Sequence, residues 1–97
     1  MYTDTIEREA VRTFGKTSQM IVAIEECSEL IKELTKNLRG EDNADHISEE
    51  MADVYIMLEQ LGMIFGNSER VSVWKRRKIN RLAERLKGDT ICNTTDS

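Results

Sequence analysis

SQMIVAIEECSELIKELTKNLRG, residues 18–40, is the stretch from which the fold follows. Its apolar members Met20, Ile24, Cys27, Ile31, Leu34 and Leu38 recur by alternating steps of four and three residues. That rhythm draws one stripe along an α-helix and suits packing against a second helix at roughly 20°. Gly40 closes the segment, because glycine enters the left-handed conformation past a helix end at little cost. Downstream, Ile47, Met51, Val54, Leu58, Leu61 and Phe65 repeat the rhythm, and Gly66 follows. Gly15 and Gly88 close two flanking segments in the same way.

Four helices are therefore expected, over residues 3–14, 17–39, 44–65 and 68–87. Thr17 or Ser18, Asn43 and Ser68 suit the N-caps, while Gly62 weakens the third helix locally. Residues 1–88 read as one all-α domain, and the polar residues 89–97 as a frayed, disordered tail. The absence of proline and the abundance of Leu, Ile, Met, Glu, Lys and Arg agree with an all-helical chain. Both central helices are apolar beyond their stripes, through Val22, Ala23 and Leu30 on one and Ile56, Met57, Met63 and Ile64 on the other. A helix of that kind needs a second surface, and in 97 residues the simplest is another copy of the chain. A homo-oligomer is expected.

The balance of 14 basic against 18 acidic residues, net −4, disfavours a nucleic-acid binder. The middle of the chain is acidic and the stretch Lys75–Lys87 basic, which suits a metal site beside an anion site and equally two solvated helix faces. Cys27 and Cys92 form no disulfide framework and read as reduced thiols. No apolar run reaches the roughly 20 residues that span a bilayer. No signal-peptide pattern is visible. The expectation is a soluble cytoplasmic protein without membrane attachment.

Two carboxylate pairs carry the chemistry: Glu26 with Glu29, and Glu50 with Asp53. Each has i,i+3 spacing, so both side chains leave nearly the same face and repel each other unless a cation intervenes. If the two helices are antiparallel neighbours, four oxygen ligands converge. Hard oxygen donors without histidine or thiolate favour Mg²⁺ or Mn²⁺. Glu25, Glu33 and Glu49 deepen the negative field. Glu29 with Lys32 and Glu33 with Lys36 read equally well as surface pairs. In the last helix Lys75 and Lys78 fall on the stripe of Val71, Ile79 and Leu82. There they either snorkel outward or reach a polyanion, and Arg76 and Asn80 share another face. Trp74 reads as packing. His46 is the only histidine, which argues against a di-iron bundle built on Glu-x-x-His.

Phe14-Gly15-Lys16-Thr17-Ser18-Gln19, the run Glu25-Glu26-x-x-Glu29 and, about twenty residues later, Glu50-x-x-Asp53 resemble the MazG-like all-α nucleoside triphosphate pyrophosphohydrolases. The resemblance spans residues 13–86 and includes the basic run Lys75-Arg76-Arg77-Lys78-Ile79-Asn80-Arg81. It implies that Glu26, Glu29, Glu50 and Asp53 hold Mg²⁺. It also implies that Lys75, Arg76, Lys78 and Asn80 bind triphosphate or base, and that the chain forms a homodimer or homotetramer on a four-helix arrangement. The first helix, which in relatives often helps shape the base pocket, is short here and gives no clear ligand beyond Phe14 and, just past it, Gln19. The reaction implied is hydrolysis of a (d)NTP to (d)NMP and pyrophosphate by water attack at the α-phosphorus. Glu25, beside the ligands without being one, is the expected general base. The alternative expectation is a non-enzymatic helical oligomerisation module whose acids are merely solvated.

Overall fold

Gly15, at φ +95°, ends one helix and opens the next within a single residue. Its N–H donates to Val11 O (2.9 Å) and its carbonyl accepts from Gln19 N (3.1 Å). That backbone angle is open to glycine at little cost, which is why the first connection can be so short. A computed structural model describes residues 2–92, with side chains for 2–88. It contains α1 (Tyr2–Phe14), α2 (Lys16–Leu38), α3 (Ala44–Phe65) and α4 (Ser68–Cys92), with no strand among the described residues. The all-helical reading holds. No described helix is long and apolar enough to cross a membrane.

The helix ends differ from expectation in instructive ways. Gly15 itself is the N-cap of α2, so Thr17 and Ser18 lie inside the first turn. At the next helix Asn43 occupies the N-cap of α3 but makes no side-chain cap bond. Instead its buried Nδ2 donates back to Glu33 O (2.9 Å) and Glu33 Oε1 (2.7 Å), and its Oδ1 accepts from Asn37 Nδ2 (3.2 Å). Asn43 thus staples the turn instead of capping the helix. Ser68 is the first residue of α4, and the carbonyl of Asn67 accepts from Val71 N (2.9 Å). Helix α3 passes through Gly62 unbroken and ends at Gly66 (φ +60°). Gly88 is no stop: α4 continues to Cys92. An interior glycine weakens a helix by about 1 kcal/mol without forbidding it. Of the expected tail, residues 93–97 lie outside the described residues.

The chain divides into two units, Met1–Gly66 and Asn67–Ser97. In the first, α2 and α3 run antiparallel, as paired positions show: Gln19 bonds Gln60 near one end, Glu26 meets Asp53 midway, and Glu33 bonds Asn43 at the turn. Helix α1 packs across both. The second unit is α4 alone. Its Val71, Trp74, Lys75, Lys78, Ile79 and Leu82 line one shallow groove, and the Arg77 guanidinium lies 5.3 Å from the Trp74 ring centroid. Trp74 is 44% exposed, so within its unit it is not the packed residue expected.

The packed face of the α2–α3 hairpin is not the apolar stripe. On α2, Gln19 and Ala23 are buried and Glu26, Leu30 and Glu33 half-buried, whereas Met20, Ile24, Cys27, Ile31 and Leu34 are exposed. Each inward residue precedes a stripe residue by one position, a rotation of about 100° about the helix axis. On α3 the inward set Glu50, Asp53, Met57, Gln60 and Ile64 stands one position before Met51, Val54, Leu58, Leu61 and Phe65 in the same way. Among the described residues only Ala23 and Met57 are buried hydrophobics. The rhythm marks a helix correctly, but the side it marks is turned from the hairpin seam, exposed at its stripe positions from Met20 to Leu34 on α2 and with Ile47, Val54 and Leu61 half-buried on α3.

Candidate metal centre

That rotation gives the acids their setting. Glu26 from the middle of α2 and Glu50 and Asp53 from the first half of α3 lie in the seam, each half-buried. One oxygen from each comes within 4.8 Å of the others. Burial first, then the charges of Asp53 and Glu50 and hydrogen bonding with both, push the Glu26 carboxyl above the ordinary carboxylate range. Glu50 is pushed up by burial, then by Asp53, Glu29, Glu49 and Glu33. Its Oε1 is buried and has no hydrogen-bond partner. The ion pairs on these helices, Lys32–Glu29 at 4.0 Å, Lys36–Glu33 at 3.5 Å and His46–Glu49 at 3.8 Å, all bypass the trio. Three carboxyls with converging oxygens and no cation partner form an all-oxygen donor set, which fits a hard divalent ion such as Mg²⁺ or Mn²⁺.

The remaining expected residues fall around this trio or apart from it. Glu29 acts on Glu50 through its charge but stays outside the converging set, with its side chain half exposed toward Lys32. Glu25 is exposed on α2, outside the set. Phe14 is exposed at the end of α1, and Gln19 is buried with its Nε2 donating to Gln60 Oε1 at 2.7 Å. Lys75, Arg76, Lys78 and Asn80 are exposed on α4, in the second unit. Cys27 is a free, exposed thiol, and the side chain of Cys92 lies outside those described.

Sequence reasoning missed three polar groups. Glu33 is no plain surface pair, since the Asn43 hydrogen bond leads, ahead of Lys36, in holding its carboxyl below the ordinary range. Gln60 is buried against Gln19, and Glu7 is the one buried residue of α1. For Glu33 and Gln60 the signal was available, as polar residues at helical spacing one position off the apolar stripe; for Glu7 in α1 it was not. Comparison of the chain with protein-family models, curated proteins and solved structures finds no match.

Proposed function

We propose that the chain is a Mg²⁺-dependent nucleoside triphosphate pyrophosphohydrolase of the MazG-like type. The observation that carries this reading is the trio Glu26, Glu50 and Asp53, with carboxyls from two helices held together in a half-buried seam and one oxygen orphaned. Such an arrangement costs free energy unless a cation or proton neutralises it. Glu26, Glu50 and Asp53 would hold Mg²⁺, with Glu29 joining from the margin of the site. When bound, the ion would draw charge from phosphoryl oxygens and lower the pKa of a coordinated water.

The protein's own residues have separate tasks. The seam carboxyls would hold the cation that neutralises the triphosphate. Glu25, one residue before Glu26, accepts the proton of the water that attacks the α-phosphorus, and pyrophosphate departs. Lys75, Arg76 and Lys78 would supply positive charge, and Asn80 a neutral hydrogen-bonding group, for binding the phosphates or the base. The outward apolar side of α2 and α3 favours assembly into a homodimer or homotetramer, since Ile24, Ile31 and Leu34 keep 66%, 64% and 45% of their surface exposed.

The same outward stripe favours a second reading, a helical oligomerisation module without catalysis. Calorimetric melting separates the two. A preformed metal site raises Tm with Mg²⁺ concentration, whereas a bare interaction module melts at the same temperature with or without it.

A further inference from the structure

Helix α1 holds to the α2–α3 hairpin through an unusual residue. Its single buried side chain is Glu7, only 6% exposed, whereas Ala10 and Val11 are half-buried and the other described α1 residues are exposed. Glu7 Oε1 is buried without a hydrogen-bond partner. Across the interface stands another acid, Glu59 of α3, within hydrogen-bonding reach, and Asp4 lies one turn earlier on α1. Among the described residues no basic side chain pairs with Glu7. The nearby Arg12 is bound to Glu9 at 2.6 Å, and no charged group of α2 acts on Glu7. A buried carboxyl facing a second acid ionises only at high cost, so Glu7 holds a proton.

We infer that α1 docks on the hairpin only while the buried Glu7 carboxyl, facing Glu59, holds a proton, so that its loss releases the helix. The inference is independent of the metal centre, because neither residue belongs to the Glu26, Glu50 and Asp53 set. Burial, then the hydrogen bond to Glu59, then the charges of Glu59 and Asp4 raise the Glu7 carboxyl from 4.5 to about 7. A raised folded-state value means that docking is fully stabilised below the ordinary carboxylate range. That stability is lost as pH rises toward neutrality, and no further loss follows above it. The docking equilibrium should weaken more than tenfold between pH 5 and pH 8.

The test is residue-resolved amide exchange on the full chain at several pH values, corrected for intrinsic rates and referred to α2. Protection of residues 2–14 should fall more than tenfold from pH 5 to pH 8 in the native protein, and stay level in Glu7→Gln, which cannot ionise. Level protection in the native protein, or an unchanged fall in Glu7→Gln, would overturn the inference. Carbon-13 titration of the Glu7 carboxyl keeps the test decisive if that variant folds poorly. A midpoint near neutrality that drops in Glu59→Gln supports docking through protonated Glu7, and a midpoint near 4.5 refutes it.

Discussion

Replacing Ile24 and Ile31 together by glutamate should dissolve the assembly while leaving the protomer folded. Both side chains point away from the hairpin seam and are 66% and 64% exposed in the single chain. Complete burial of an isoleucine side chain contributes about 2 kcal/mol, so covering the exposed two-thirds contributes about 1.3 kcal/mol each. A twofold interface buries the same patch on both partners, which makes four such side chains and about 5 kcal/mol. Losing that term raises the dimer Kd by three to four decades, before any cost of placing four carboxylates in the interface. The protomer loses little, because neither isoleucine is buried there and glutamate is a good helix former. Sedimentation equilibrium across micromolar to millimolar concentration measures the association, and circular dichroism monitors helicity. A native chain that stays monomeric throughout, or a double variant with unchanged Kd, would refute the assignment of this stripe to self-association.

Asp53→Asn should lower turnover by at least about a hundredfold with the helical circular dichroism intact, since it removes a charged ligand from a site that works by electrostatics; steady-state kinetics checks it. Without added metal, the first unit should lose stability as pH rises through the raised Glu26 and Glu50 values, because each carboxyl is stabilised in its protonated form. Mg²⁺ should restore that stability, and Glu50→Gln should flatten the pH dependence in thermal melts. Asn43→Ala removes the hydrogen bonds that tie the α2–α3 turn to Glu33 and should cost about 2 kcal/mol, a fall in Tm of roughly 10 °C by calorimetry.

Helix number, type and three of the four stops were legible in the sequence because glycine and the 3.6-residue period act locally. Gly15, Gly40 and Gly66 all adopt positive φ, and each follows a helix. Gly88 does not, since a glycine permits a stop without compelling one. Which face packs was not legible. The stripe of Ile24 and Ile31 was the more apolar, yet the seam took the side of Gln19, Ala23 and Glu26, where small and polar residues pack. Hydrophobicity identifies the side that seeks burial, but not whether the covering surface lies in the same chain. The pairing of Glu50 with Asp53 followed from i,i+3 spacing, and Glu26 joined them once α2 and α3 proved antiparallel. Glu29 sits a turn further along, where its side chain is half exposed and 4.0 Å from Lys32 Nζ. Glu7 gave no warning at all, because nothing near it in sequence reports the approach of Glu59.

The central claim is the reaction, and phosphorus NMR on the purified chain tests it most directly. Each common NTP and dNTP is incubated with and without Mg²⁺. The account predicts monophosphate and pyrophosphate, formed only with the metal and lost in Asp53→Asn. Unchanged triphosphate across all substrates, from a protein shown to be folded and assembled, would contradict it.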